Sequence, residues 1–308
     1  MVLRRGGNAV SKTGGGRGTS QYETKGRSQA STSGRNAKAH AEPETSLEAP
    51  VFYDWDLLLS EFPFQGGEYQ ALPEPTWDET TFDAEAKGIS RAVSRFKSRM
   101  AGALHLDSEV ERLGFTEPEL VQLIGNTHVP GHTEGEELQM RAMVNTAKFA
   151  ANLASENELE PSIKLTDDLM VMMSPGIAAP SFQSRGNQHE RYGGPFVSLG
   201  NRERFEALDA RLMHRVFEAG TQRVSRIESV PVRAATWAAF VAYHQPYLDG
   251  NKRVGRYSIN AVLMSQGFDA ITIPASKKEE YLDEVVGALK TGDLTSHIRF
   301  LLSQYDDS

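Results

Sequence analysis

Apolar side chains recur at helical spacing along most of the chain from about residue 81 onward, which predicts a series of amphipathic helices. The clearest repeat occupies positions i, i+3, i+4 and i+7 and consists of Trp237, Phe240, Val241 and His244. Pro246 cannot continue this helix, because proline lacks a backbone N–H. A second apolar pattern follows at once, so the sequence predicts two helices joined by a tight loop.

Further helices are predicted on both sides of this pair. Three of them cover residues 81–106, 136–154 and 298–302. Two more begin at Thr116-Glu-Pro-Glu119 and at Leu165, and the last two run from Phe205 to Gly220 and from Ser276 to Gly292. Thr116 and Ser276 each precede a glutamate by three residues, which is the pattern of a capping box. Residues 178–199 lose the helical period and carry glycine pairs between β-formers, which predicts a β-hairpin. The predicted fold class is mainly α with one small hairpin.

Composition limits the classes of function. The chain has 308 residues, a net charge of −8 and 39% hydrophobic residues, enough for one well-cored domain plus extensions. The acidic balance argues against nucleic-acid binding. The absence of cysteine excludes disulfides, thiolate metal sites and cysteine nucleophiles. The sequence has no apolar run of membrane-spanning length and no signal-peptide core, so we expect no membrane partner.

The chain is predicted to divide into three parts. Residues 1–48 are rich in Gly, Ser, Thr and Arg and almost free of large apolar side chains, which predicts a disordered basic tail. A solvated linker is the simpler interpretation of this tail, and a secretion leader of a bacterial effector or toxin is the alternative. Residues 49–130 are predicted to form an N-terminal helical extension, and residues 131–305 the main domain. We therefore expect a cytoplasmic protein, or one secreted into a host cell as an effector.

The loop between the two central helices carries a concentrated set of polar residues, namely Asp249, Gly250, Asn251, Lys252, Arg253 and, one turn later, Arg256. Glycine lets backbone N–H groups approach an anion, and the new helix presents its positive end there. Arginine binds phosphate oxygens as a planar fork. A carboxylate among phosphates indicates a divalent cation such as Mg²⁺ between them. The alternative is an ordinary Asp-Gly turn followed by solvated basic residues.

This string resembles the signature of the Fic (Fido-domain, Fic/Doc) family, His-Pro-Phe-x-Asp/Glu-Gly-Asn-Gly/Lys-Arg-x-x-Arg. The positions in register are Pro246, Asp249, Gly250, Asn251, Lys252, Arg253 and Arg256, and Tyr247 stands for the phenylalanine. The resemblance implies a Fic helical core with a β-hairpin flap, which transfers AMP, or another nucleotide-derived phosphate group, to a hydroxyl of a target protein. It further implies that Asp249 binds Mg²⁺. The phosphates of ATP would be held by Gly250, Asn251, Lys252, Arg253 and Arg256.

One position departs from the signature. The histidine that takes the proton from the target hydroxyl is replaced by Gln245, and a carboxamide cannot act as a general base. His244 lies one residue earlier, about 100° away around the helix. Both residues are candidates for the catalytic position, with His244 interpreted either as a buried core residue or as a relocated base. An engineered change of histidine to glutamine would leave the same sequence.

In the family the hairpin flap pairs by strand addition with the backbone of the target protein. The resemblance assigns this role to residues of the irregular segment, namely Tyr192, Gly193, Gly194, Phe196 and Val197. An irregular surface loop is the alternative interpretation. His189, in the same segment, is expected to be solvated rather than catalytic.

Many Fic proteins carry an inhibitory helix with the pattern Ser/Thr-x-x-x-Glu-Gly/Asn, whose glutamate pairs with the second arginine. At the corresponding place this chain has Ala101-Gly-Ala-Leu-His105-Leu106, without the hydroxyl or the glutamate. Autoinhibition of that kind is therefore expected to be absent, unless a partner supplies the helix.

Three functional hypotheses remain open. The first is a protein adenylyltransferase-like enzyme that modifies Ser, Thr or Tyr of a target, weakened or altered by Gln245. The second is a degenerate Fic-fold nucleotide binder that acts as a regulator or with an antitoxin-like partner. The third is a transferase that uses another donor, such as a nucleotide sugar. Most family members that transfer AMP have glycine at the position of Lys252, and lysine there accompanies an inverted nucleotide in a branch that resembles phosphate-transferring toxins. That branch has alanine at the position of Gly250, so the glycine found here favours the AMP orientation of the nucleotide.

Overall fold

The structure of the chain is a computed structural model that describes residues 69–71, 73, 75–173, 196–199, 203–206, 210–247 and 249–305. The chain divides into two units, Met1–Glu48 and Ala49–Ser308, and all described residues belong to the second unit. The expectations for the basic tail, for the helix before residue 69, for His189 and for Tyr192, Gly193 and Gly194 lie outside the described residues.

The described part of the chain is mainly helical, as the sequence predicts. In chain order its elements are β1 (Tyr69–Ala71), α1 (Ile89–Val110), α2 (Glu117–Ile124), α3 (Glu134–Glu156), α4 (Ile163–Met173), β2 (Phe196–Leu199), β3 (Glu203–Glu206), α5 (Ala210–Val224), α6 (Val230–His244), α7 (Asn251–Ser265), a 3₁₀ turn (Ala275–Lys277), α8 (Lys278–Thr291) and α9 (Thr295–Ser303). None of the helices in these ranges is both long enough and apolar enough to cross a bilayer.

Helices α6 and α7 form the centre of the core. Residues 234–244 of α6 are all buried, and α6 packs along α7, which in turn contacts α1, α3 and α4. The two central helices approach closely, since a Cβ atom on Gly255 would lie 3.1 Å from the carbonyl oxygen of Ala238. The loop at residues 245–250 is thereby held between two buried helices.

The predicted capping boxes differ in outcome. At Thr116 the box forms, because the Glu119 carboxylate accepts a hydrogen bond of 2.8 Å from the Thr116 backbone N–H. The prediction for Ser276 is wrong, since this residue lies inside the 3₁₀ turn and makes no capping bond to α8. Gly292 ends α8 in the left-handed conformation with φ of 75°, as expected.

Gly220 does not stop a helix. Helix α5 continues through it to Val224, and the glycine instead makes room for a neighbouring ring. A Cβ atom at Gly220 would lie 2.3 Å from Cζ of Phe240, so no other residue fits without a shift. The prediction assumed that this glycine is needed for the left-handed backbone at a helix end. Glycine is needed here because a side chain would collide with the Phe240 ring.

A hairpin is present, and its first strand lies at the end of the segment predicted to form one, residues 178–199, of which 178–195 lie outside the described residues. Strands β2 and β3 pair antiparallel, and β1 pairs parallel with β3, giving the order β1-β3-β2. Phe205, which we assigned to a helix, lies in β3 and is fully buried. Polar residues flank it on both sides, Arg204 and Glu206, as the alternation of polar and apolar residues in a strand requires. A segment of four residues is too short for this alternation to be recognised in the sequence.

Candidate functional site

The loop between α6 and α7 is shaped by two left-handed residues. Gln245 caps α6 with φ of 49° and ψ of 60°, and Gly250 caps α7 with φ of 81°. Between them, Asn251 binds the loop to itself, because its Oδ1 accepts from the Tyr247 N–H and its Nδ2 donates to the Tyr247 carbonyl, both at 2.8 Å. The loop is therefore rigidly framed by its own side chains.

Gln245 takes part in the hydrogen bonds that hold the loop. Its side chain is buried, its Nε2 donates to the Ala242 carbonyl, and its Oε1 accepts from Asn251 Nδ2 at 2.9 Å. The carboxamide is thus engaged as a donor and as an acceptor inside the protein. This arrangement gives Gln245 a structural role in the loop and no proton-accepting one.

His244 lies in an aromatic cluster of the core. It is 4% exposed, and its Nδ1 lies 3.0 Å from the Phe240 carbonyl oxygen. Its ring centroid is 4.1 Å from that of Phe240, 5.7 Å from that of Phe217 and 5.1 Å from that of Tyr243. Of the two interpretations of His244, this geometry favours the buried core histidine over the relocated base.

Arg253 lies between two carboxylates. Its Nη2 donates to Asp249 Oδ2 at 2.8 Å, and its Nε is 3.1 Å from Glu111 Oε1. The side chain is only 1% exposed, yet its Nη1 has no hydrogen-bond partner among the described residues. A buried guanidinium nitrogen without a partner is costly. It is the group that a phosphate oxygen would satisfy.

Asp249 is the accessible carboxylate of the loop. Half of its side-chain surface is exposed (51%), and its Oδ1 accepts from the Gly250 N–H at 2.5 Å. Partial burial raises the pKa of Asp249, but the charge and hydrogen bond of Arg253 outweigh this effect and leave the pKa below its ordinary value. The group is therefore ionised at neutral pH, as a magnesium ligand must be.

Arg256 is held deeper in the core. Its Nη1 donates to the Tyr281 hydroxyl at 2.8 Å, and its Nη2 donates to Asp107 Oδ1. The other Asp107 oxygen accepts from the Tyr257 hydroxyl at 2.6 Å. Burial lowers the pKa of Arg256, but the Asp107 carboxylate more than offsets this, so the pKa is raised. In this conformation the guanidinium faces protein groups rather than the loop surface.

Lys252 completes the cationic side of the loop. Burial lowers the pKa of its ammonium group, and the charges of Arg256 and Arg253 act in the same direction. Glu111 and Asp249 oppose that shift. An anion beside Lys252 would raise the pKa of its ammonium group again, so the surroundings of this side chain favour a negatively charged ligand.

The sequence analysis did not identify the two carboxylates that contact the arginines. Asp107 lies in α1, and Glu111 is the C-cap residue of this helix. Asp107 and Glu111 are four residues apart and so lie on one face of this helix end, while Arg253 and Arg256 are three apart on α7. We expected no inhibitory carboxylate at Ala101–Leu106, and the contact with Arg256 comes instead from the next residue along the chain. The similar spacing of the acidic pair in α1 and the basic pair in α7 is the sequence signal that could have revealed this contact.

A further group overlooked in the sequence holds the loop from α4. The Tyr247 hydroxyl donates to Asp167 Oδ1, so the tyrosine that replaces the family's phenylalanine gains a polar partner. Of the predicted flap residues, Phe196 and Val197 lie in β2, paired with Glu206 and Phe205.

The described residues contain no cluster of three or more His, Asp or Glu side chains that could hold a metal ion on its own. One exposed carboxylate beside arginine and lysine side chains nevertheless fits Mg²⁺, which commonly takes one or two carboxylates and completes its shell with phosphate and water oxygens. Asp249 would be the protein ligand.

The fold of the described residues is shared with proteins of known structure. No protein-family model matches the chain. Its structure is similar to that of a Fic domain containing signaling protein from Bacteroides thetaiotaomicron, with a TM-score of 0.56 and 15% identity over 70% of this chain and 86% of that one. The chain therefore has the fold of Fic-domain proteins.

Two further structures agree with this assignment of the fold. Fic-1 from C. elegans has a TM-score of 0.55 and 19% identity over 70% of this chain and 63% of that one. A Fic family protein from Desulfovibrio desulfuricans has a TM-score of 0.53 and 15% identity over 70% of this chain and 69% of that one.

Proposed function

We propose that this chain is a Fic-fold nucleotide-binding protein that transfers AMP, or another nucleotide-derived phosphate group, to a hydroxyl of a target protein. The observation that supports the proposal best is Arg253, buried in the first turn of α7 with Nη1 unpartnered among the described residues. A phosphate at this helix end would meet that nitrogen and the first backbone N–H groups of α7.

The nucleotide would be ATP, bound with Mg²⁺. Asp249 would hold the metal, and Lys252, Arg253 and the backbone N–H of Asn251 would hold the phosphates. Magnesium bound there would neutralise charge on the phosphate oxygens. The loop frame of Asn251 and Tyr247 keeps these groups in place before the ligand arrives, so little ordering is needed on binding.

Gln245 limits the transfer step. With no general base at this position, the target hydroxyl must lose its proton to solvent, and the reaction depends on positioning and charge stabilisation. We therefore propose a slow transferase, acting on Ser, Thr or Tyr of a protein partner.

A second candidate function is a nucleotide-binding regulator without transfer activity. Two observations favour it, the engagement of the Gln245 carboxamide within the loop and the pairing of both arginines with carboxylates. Mass spectrometry of lysates incubated with labelled nucleotides and nucleotide sugars separates the two, because only the transferase leaves a modified protein. It also identifies the donor.

Calorimetric titration with ATP in the presence of Mg²⁺ tests the site itself. Arg253→Lys keeps the charge between Asp249 and Glu111 but removes the fork, so affinity should fall about tenfold, equivalent to about 1.4 kcal/mol. Chelation of Mg²⁺ should weaken ATP binding to the wild type as well.

The matched control is Arg112→Asn. Arg112 is exposed at the same end of α1 and has φ of 58°, which asparagine tolerates, so this variant removes a nearby charge without touching the loop. It should bind ATP like the wild type. Equal affinity in wild type and Arg253→Lys, or no binding to either, would refute the assignment of the site.

A further inference from the structure

A groove beside α1 shares no residue with the loop or with the hairpin. It encloses about 770 Å³ and lies between α1, α2, residues 270–274 and the end of α9. Small side chains line part of it, among them Ala101, Gly102 and Ala270. A Cβ atom on Gly102 would meet only Glu117 Oε1 among the described residues, at 3.9 Å, so the space above this glycine is open. We call this groove the α1 groove.

The segment along the groove has one free backbone edge. Ile271 and Ile273 are buried and their neighbours line the groove, which is the alternation of an extended chain. Asn260 of α7 binds one edge, because its Nδ2 donates to the Ile271 carbonyl at 2.9 Å and its Oδ1 accepts from the Ile271 N–H at 2.8 Å. The backbone groups of the next residue in an extended chain point the opposite way. Neither the N–H nor the C=O of Thr272 has a partner among the described residues, so this edge can pair with another extended chain.

The charges around the α1 groove are mainly positive. Residues 86–106 include no Asp or Glu, and their cations are Lys87, Arg91, Arg95, Lys97 and Arg99. Arg99 lines the groove on the α1 side, and on the α9 side Arg299 lies one turn before the lining residue Ser303. Asp269 pairs with Arg95 at 2.7 Å, and Glu117 is the one acidic residue of the described lining. In a chain with a net charge of −8, this local excess of cations favours an acidic ligand.

Two features of the groove favour a protein segment over other anions. Pairing with Thr272 requires N–H and C=O groups spaced along an extended backbone, which a nucleic acid does not offer. Val121, which is 59% exposed, and Pro274 add apolar surface to the lining, as the side chains of a peptide require.

We propose that the α1 groove binds an extended acidic segment of a partner protein. The backbone of the segment pairs with Thr272, its carboxylates approach Arg99 and Arg299, and its apolar side chains contact Val121. Because the lining contains no residue of the loop or the hairpin, this docking does not depend on the proposed function. It would serve a nucleotide-binding regulator as well as a transferase.

Fluorescence anisotropy with a labelled peptide tests the proposal on the full-length chain, without nucleotide. The probe is the peptide Val-Glu-Val-Glu-Val-Glu, which combines strand-forming residues with negative charge. The same peptide with lysine in place of each glutamate is its control. The acidic peptide should bind about tenfold more tightly than the basic one, and added salt should reduce this difference.

Two pairs of variants assign the binding to the groove. Gly102→Leu fills the open space, and since leucine favours a helix over glycine, the variant should melt no lower than the wild type while it binds the probe about tenfold more weakly. Gly135→Leu is the matched control, because Gly135 lies in α3 outside the groove with nothing within 4 Å of its Cβ position. Arg99→Gln should weaken binding about fivefold, whereas Lys97→Gln makes the same charge change outside the lining and should not.

Hydrogen exchange locates the bound peptide. The Thr272 amide should exchange more slowly with the acidic peptide present, while the β3 amides, residues 203–206, keep their rates. No binding to the wild type, equal binding to Gly102→Leu and wild type, or unchanged exchange at Thr272 would overturn the proposal. A short oligothymidylate that binds more tightly than the peptide and loses affinity in Gly102→Leu would make the occupant a nucleic acid instead. A dimer that sedimentation detects in the wild type and not in Gly102→Leu would make it a second copy of this chain.

Discussion

At the scale of single residues, Gln245 decides how far the chemistry can proceed. Its backbone has the left-handed conformation, with φ of 49°, and its carboxamide is bound to Asn251 and Ala242. Histidine is also tolerated in this backbone region. The position can therefore hold the missing base with little change in the loop.

We predict that Gln245→His raises the rate of transfer. A positioned general base contributes about 10²–10⁴ in rate, and the groups that we propose bind phosphate are already in place. Incorporation of label from ATP into lysate proteins or into the chain itself would measure the gain. His244→Ala in the wild-type background is the control, and should change nothing beyond stability. Loss of an existing activity in that control, with no gain from Gln245→His, would place the base at His244.

A second single residue, His297, sets part of the pH dependence of stability. It is buried beside the Tyr281 ring with Nε2 unpartnered among the described residues, and burial, with the charge of Arg256, lowers its pKa from 6.5 to about 4. Between these two values the unfolded chain binds a proton that the folded chain does not. The free energy of unfolding therefore falls as the pH drops from 6.5 towards 4, by roughly 3 kcal/mol.

Urea unfolding of wild type and His297→Phe at several pH values between 4 and 8 measures this effect. Phenylalanine keeps an aromatic ring in the site but cannot take up a proton, so the variant should lose much less stability below pH 6.5 than the wild type. A variant with the wild-type slope would show that other groups cause the loss.

The loop could be located from the sequence, because the residues that form it are close together along the chain. Asp249, Asn251 and Arg253 act within one turn of chain, and their mutual contacts follow from spacing. Asp107 and Glu111 could not be placed in the same way, since they reach the loop from another helix. Their contribution depends on how α1 packs against α7, which no local pattern shows.

At the scale of elements, the end of α1 contacts the start of α7 at the arginine that we propose binds phosphate. Glu111 faces Arg253 at 3.1 Å, and burial raises the pKa of its carboxyl group. We predict that Glu111→Gln tightens MgATP binding about tenfold, because it removes a negative charge that competes with phosphate for this arginine. Calorimetric titration provides the measurement.

Glu109→Gln is the matched control, with the same change of charge two residues away on an exposed side chain near His105. It should bind MgATP like the wild type. If Glu111→Gln weakens binding instead, Glu111 serves to orient Arg253 rather than to compete for it.

The order of helices was predictable from apolar periodicity, and two of the failed predictions share a cause. Phe205 and Ser276 lie in segments of three or four residues, where one apolar residue fits a strand, a 3₁₀ turn or a helix equally well. Tertiary packing decides such cases, as the buried Phe205 shows. Long segments such as α3 carry enough repeats to be assigned from the sequence alone.

At the scale of the whole molecule, we predict that deletion of residues 1–48 leaves the melting temperature nearly unchanged. These residues form a separate unit of the chain and contain very few large apolar side chains to bury. Differential scanning calorimetry of the shortened chain would measure this. A deletion extended through residue 78 is the comparison, and should lower the melting temperature because it removes Trp77 from Phe240. A large drop after the first deletion would show that the tail contributes to the core.

Residues 69–71, 73 and 75–78, called the strap, include β1 at one end and Trp77 near the other. The position of Trp77 gives the strap an optical signature. Its ring lies under Arg223 and edge-on to Phe240, with centroids 6.4 Å apart, whereas Trp237 is fully buried and donates its indole N–H to Thr166 at 3.1 Å. Release of the whole strap would expose Trp77 to water and shift the intrinsic emission to longer wavelength. In a Trp55→Phe background, which leaves Trp77 and Trp237 as the two tryptophans, detachment of β1 alone would leave the emission unchanged. Fluorescence without any added dye thus distinguishes a partial opening of the strap from a complete one.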